Sequence, residues 1–67
     1  TLADTIRLAR CSRAWTQDEC AARADVSRSL IADIETGKTP MVKQLTASKL
    51  ERALRISLAR YVTRRSA

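Results

Sequence analysis

An all-α fold of four or five short helices is what this sequence predicts, and three observations carry the prediction. Gly and Pro occur once each and Phe not at all, and the β-branched residues are scattered, so no stretch shows the period of two that a strand needs. Apolar residues recur at helical spacing instead, as in Leu2, Ile6 and Ala9, in Ile31 and Ile34, and in Leu50, Leu54 and Leu58. Helix-start signals recur as well, at Thr16, Ser27 and Thr46. A chain of 67 residues is one domain, 1–67, and a chain this short buries only about 60 % of its unfolded surface. Of its 30 hydrophobic residues 11 are Ala, so close packing of helices has to supply most of the stability.

Leu2, Ile6, Ala9 and Arg13 share a stripe, which predicts a first helix over residues 2 to about 13 with the Arg stem covering its end. Ala14 and Trp15 form a joint. The run TQDE then places Thr16 at a cap and Glu19 three residues later, the reciprocal arrangement that satisfies free amides at a helix start. Trp15 and Cys20 are spaced to staple that start, and the second helix ends near Ala24. Asp25 follows, one of the few residues besides Gly that tolerates the left-handed conformation closing a helix. Ser27 caps a third helix, Ser27 to Thr36, with Val26 and Ile31 as its staple; Gly37 ends it and Pro40 prevents continuation. After a linker at 38–44, Leu45, Thr46 and Leu50 repeat the staple and cap of a fourth helix. Its end is open: one long helix and two short ones both satisfy the spacing of Leu50, Leu54, Leu58, Tyr61 and Val62, with Arg55 where a Gly stop is expected.

Residues 16–37 therefore form two helices of about eight residues joined by a short turn, the helix-turn-helix pattern. Two steeply crossing helices need a small residue at closest approach, here Ala21, and apolar inner faces, here Cys20, Ile31 and Ile34. The outer face of the second helix carries Arg28, Ser29, Ala32, Asp33 and Thr36, with Arg28 and Ser29 in the first turn, where side chains reach base edges in a major groove. Asp33 and the neighbouring Glu35 repel phosphates if they face the groove.

Over nearly its whole length, in IRLAR, TQDECA, DVSRSLIADIETGK and KLERALRISL, the sequence resembles the helix-turn-helix domain of lambda-repressor and Cro type regulators. The resemblance implies a lambda-repressor-like fold, phosphate contacts from Gln17 and Thr36 at the ends of the motif, and base contacts from Arg28 and Ser29, with Ser27 beside them. Ala9-Arg10, IADIETGK and KLERAL are further similar to the C-terminal domain of multiprotein bridging factors, transcriptional coactivators that work through protein contacts. Asp25 stands where that family has Gly or Asn, Arg55 stands where Gly follows KLERAL, and the segment between Pro40 and Lys49 is about two residues longer than is typical there.

Charge favours a polyanionic partner. The net charge is +6, but residues 1–36 carry about −1 and residues 37–67 about +7. Lys38, Lys43, Lys49 and Arg52 flank the motif as candidate phosphate contacts. The basic C-terminal segment, about 55–67, offers Tyr61 and Val62 either to a homodimer seam or to its own domain. Double-stranded DNA is the expected partner, with transcription-machinery proteins expected on the bridging-factor reading. Catalysis is not expected without a His base, a carboxylate pair or a phosphate-cradling Gly loop. No metal or other cofactor is expected from a chain with no His and two Cys. No membrane helix is expected, because no apolar run nears about 18 residues. Cys11 and Cys20 read as reduced thiols, Cys20 in the core, which points to an intracellular setting, cytoplasm or nucleoid, or nucleus in a eukaryote. The chain opens on Thr1 rather than Met, so a preceding segment is expected.

Overall fold

The computed structural model describes residues 1–63. Four α-helices follow one another in that span: α1 (Leu2–Ser12), α2 (Gln17–Ala24), α3 (Arg28–Glu35) and α4 (Gln44–Leu54), with a 3-10 turn at Ala59–Tyr61. Helix α3 packs on α1 and α2, and α4 packs on α2. All four bury their stripes in one core, in which Leu2, Ile6, Cys20, Ile31, Ile34, Leu50, Leu54 and Leu58 are almost wholly excluded from water. Ala21, Ala24 and Ala47 are buried among them, and their small side chains are what let the helices approach closely enough to leave a thin core dense.

Local chemistry sets the helix ends. Thr1 caps α1 through the Asp4 amide. Thr16 and Glu19 exchange bonds at α2, the Glu19 amide donating to Thr16 Oγ1 at 3.1 Å and the Thr16 amide to Glu19 Oε1 at 2.8 Å. Asp25 closes α2 in the left-handed region, φ 58° and ψ 47°. The Ser27 hydroxyl accepts from the Leu30 amide at the start of α3, and Gly37, at φ 88°, follows its end.

Helix α4 departs from expectation at both ends. Its N-cap is Lys43, which makes no side-chain cap bond, so Thr46 is inside the helix and Leu45, 70 % exposed, staples nothing. The phase of the helix explains this. Ala47, Leu50 and Leu54 point inward together, and Leu45, five residues before Leu50, is turned ~140° away from it at 100° per residue. Arg55 then takes the left-handed conformation at φ 55° and ψ 51°, and the helix stops there without a glycine. The chain turns back, with the Leu58 amide held by Glu51 Oε2 at 2.7 Å. Leu58 enters the core, and Val62 lies parallel to Val42 through the bonds Val42 N to Tyr61 O and Thr63 N to Val42 O, 2.9 and 2.7 Å. Neither one long helix nor two short ones describes this segment. Tyr61 and Val62 dock on their own domain, and residues 64–67 of the basic segment, including Arg64 and Arg65, lie outside the described residues.

Ala14, Asp25 and Arg55 all hold positive φ without being glycine, at about 1–2 kcal/mol each for an ordinary L-residue. Arg55→Gly is expected to raise stability by up to about 1 kcal/mol, seen as a Tm roughly 4–8 °C higher in a thermal melt. Leu58→Ala is expected to cost about 2–5 kcal/mol in urea denaturation, because it empties a filled core position.

Candidate nucleic-acid interface

The outer face of α3 is built from its own first turn. Arg28 and Ser29 are exposed there, and Asp33 is half-buried one and a half turns on. The inner face cannot rotate, because Ile31 and Ile34 are buried in the core and Glu35, the last residue, is 6 % exposed. Glu35 is therefore not a groove-facing charge.

Three residues from two other helices hold Glu35. Arg10 grips it with two bonds, Nε to Oε2 at 2.7 Å and Nη2 to Oε1 at 3.0 Å, while its Nη1 donates to the Trp15 carbonyl at 2.8 Å. Arg7 Nη2 donates to the Glu35 main-chain carbonyl at 2.7 Å, satisfying an open acceptor at the end of α3. Gln17 Nε2 donates to Glu35 Oε1 at 3.3 Å. Burial raises the Glu35 carboxyl pKa, but the hydrogen bonds from Arg10 and Gln17 and the positive charges of Arg10 and Arg7 outweigh it, and the net shift is downward. The bond to Glu35 raises the Arg10 pKa in turn. Sequence reasoning missed this network, although a signal was present. Arg10 continues the Leu2–Ile6 stripe and Glu35 sits four residues after Ile31, so each helix has one charge of opposite sign on its inner face.

The remaining site candidates sit around this frame. Gln17 is half-exposed, and a carboxamide nitrogen carries two hydrogens, so the bond to Glu35 takes up only one of them. The Ser27 oxygen is occupied as a cap acceptor, which leaves its hydrogen to donate. Arg28 Nε lies 3.0 Å from Asp18 Oδ1 in a pair exposed on both sides, an arrangement that steers the side chain at little energetic gain. Thr36 Oγ1 donates to the Asp33 carbonyl at 3.2 Å, and the Thr39 amide donates to the same oxygen at 3.1 Å. Lys38 and Lys43 are exposed on the connection between α3 and α4. Lys49 is drawn to Asp25 instead, 3.1 Å from its carbonyl and 3.4 Å from its carboxylate, and so closes the turn between α2 and α3.

A family model described as helix-turn-helix matches residues 6–61. The chain belongs to the lambda-repressor and Cro type of helix-turn-helix proteins. No curated protein and no solved structure gives a significant match. This helix-turn-helix family is one of DNA-binding regulators of double-stranded DNA rather than of enzymes. Within its frame α2 and α3 are the two helices of the motif, and Asp25 stands at the turn in the left-handed conformation for which glycine is the usual choice. Among the described residues no helix is long and apolar enough to cross a membrane.

Glu35 titrates below its unfolded value, so its stabilisation is complete above the ordinary carboxylate pKa of about 4.3 and is lost as pH falls through the lower folded value. Glu35→Gln is expected to cost about 3 kcal/mol at pH 7, since it leaves Arg10 without a counter-charge, and to flatten the acid limb of stability measured by urea titration from pH 7 to pH 3. Burial pushes the Cys20 thiol pKa up, only partly opposed by Arg10, while Cys11 is exposed. Iodoacetamide is expected to label Cys11 alone in the folded protein and both thiols in urea, read by mass spectrometry.

Proposed function

We propose that the chain is a single transcription-regulator domain that places α3 in the major groove of duplex DNA. The observation that carries the reading is the division of α3 into two faces. Its inner face is locked by Ile31, Ile34 and Glu35, and its outer face presents Arg28 and Ser29. A recognition element has to be rigid where it meets its own domain and unencumbered where it meets base edges.

In this reading Arg28 and Ser29 reach bases, Arg28 exchanging its exposed pair with Asp18 for a guanine edge or a phosphate. Asp33, further along the same face, accepts from a cytosine amino group if it reaches one. Gln17, Ser27 and Thr36 contact the backbone, Gln17 through the amide hydrogen that Glu35 leaves over, and Lys38 and Lys43 neutralise flanking phosphates. Duplex binding sets the protein in a DNA-holding intracellular compartment, nucleoid or nucleus. No cofactor enters the reading. A homodimer through the C-terminal segment is not part of it, because Leu58 and Val62 are engaged within the chain.

The bridging-factor alternative rests on KLERAL, and those residues have structural employment. Lys49 bonds Asp25, Leu50 and Leu54 fill the core, and Glu51 holds the Leu58 amide. None of these roles argues for a partner protein.

Selection of bound duplexes from a random pool, followed by salt titration, tests the reading. A preferred sequence is expected, with a log-log salt slope of roughly −0.9 per phosphate contacted. Affinity for every duplex weaker than about 100 μM sinks the regulator role and leaves the coactivator alternative, with transcription-machinery proteins as partners. On the preferred site Arg28→Ala is expected to cost about 1–3 kcal/mol and relax one base position, while Lys43→Ala weakens all sequences alike and lowers the slope by about 1.

A further inference from the structure

The C-terminal ends of α1, α2 and α4 meet around an open cleft of about 480 Å³. Five cationic side chains line it, Arg13, Arg23, Lys49, Arg52 and Arg55, together with Trp15; the single acid is Asp25. Helix C-termini attract cations, and that accounts for two of the five. Arg13 Nη2 donates to the Leu54 carbonyl at 2.7 Å, and Lys49 donates to the Asp25 carbonyl. The other three guanidiniums are surplus. Arg23 rests on the Trp15 ring, 4.9 Å from its centroid, with Arg13 at 5.4 Å, and among the described residues Arg23, Arg52 and Arg55 make no ion pair. Holding so many like charges around one cleft is unfavourable for the domain by itself, and an anion in the cleft reverses the sign.

The geometry points to a docking cleft for an extended acidic peptide of a partner protein. The five cations come from three different helices rather than from one turn, so a ligand that pairs with them carries several anionic groups along its length rather than one. Guanidinium groups match carboxylates through paired N–H donors. The Trp15 ring is already covered by two guanidiniums, which argues against a stacked nucleobase. No residue of α3 or of the connection after it lines this cleft, so its residues differ from those proposed for duplex DNA, and its test does not depend on that reading.

Trp15 is the sole tryptophan and reports from inside the cleft. The probe is a ten-residue peptide alternating Glu and Ala, with a Gln-for-Glu peptide as control, followed by Trp15 emission and by anisotropy of the dye-labelled peptide. Saturable binding of the acidic peptide alone is expected, roughly tenfold weaker near 1 M salt, where the Debye length falls to ~3 Å. The double variant Arg23→Gln with Arg55→Gly removes two of the surplus charges, keeps helix propensity at one position and suits the left-handed backbone at the other. It is expected to melt no lower than the parent, to lose at least about tenfold in peptide affinity and to keep its duplex affinity. Absence of peptide binding, or equal binding by the variant, overturns the proposal. So does an equal loss of duplex binding, which assigns the cleft to the DNA backbone.

Discussion

The two-pronged pair between Arg10 and Glu35 joins α1 to the last residue of α3, and the same carboxylate takes a bond from Gln17 at the start of α2. Three helices are thereby referenced to one buried group. A buried ion pair is weak evidence for stability, because desolvation offsets most of the attraction. Its contribution here is directional. Apolar contacts between α1, α2 and α3 tolerate small rotations, whereas a carboxylate gripped at 2.7 and 3.0 Å does not. The face of α3 that carries Arg28 and Ser29 is fixed outward as a consequence, and Gln17 is aimed from the same anchor.

The rest of the architecture compensates for a short chain with few large apolar groups. Alanines at Ala21, Ala24 and Ala47 bring the helices close, and the returning segment adds Leu58 to the core and ties Val62 to Val42. Left-handed residues at Ala14, Asp25 and Arg55 make the turns. Two long-range bonds brace those turns. Lys49 bonds Asp25, and Arg13, just before Ala14, reaches the Leu54 carbonyl beside Arg55. Long-range bonds of this kind hold a strained turn in a conformation its own residue does not prefer.

Much of this was legible in the sequence. Caps are local, so Thr16 with Glu19, Asp25, Ser27 and Gly37 could be read from neighbours three or four residues away, and the helix-turn-helix pattern with them. The inner stripes at Ile31 and Ile34 followed from spacing. What was not legible depends on contacts between distant segments. The start of α4 at Lys43 follows the burial of Ala47, Leu50 and Leu54 and of Val42 beside Val62, twenty residues on, and not the cap signal at Thr46. Arg55 ends α4 because Leu58 has a core position to fill. Glu35 looks like a surface charge until Arg10, twenty-five residues earlier, is placed beside it.

The resulting molecule divides its charge by face. In the proposed reading α3 turns a mixed surface of Arg28, Ser29, Asp33 and Thr36, flanked by Lys38 and Lys43, towards duplex DNA, and the cleft at the ends of α1, α2 and α4 concentrates cations that α3 does not use. Backbone amide shifts of the nitrogen-15-labelled domain, followed during titration with a selected duplex, test the division most directly. The account predicts that the largest changes fall on residues 17, 27–33 and 36–43, with residues 23 and 49–55 nearly still. Changes concentrated on residues 23 and 49–55, with 27–33 unmoved, contradict it.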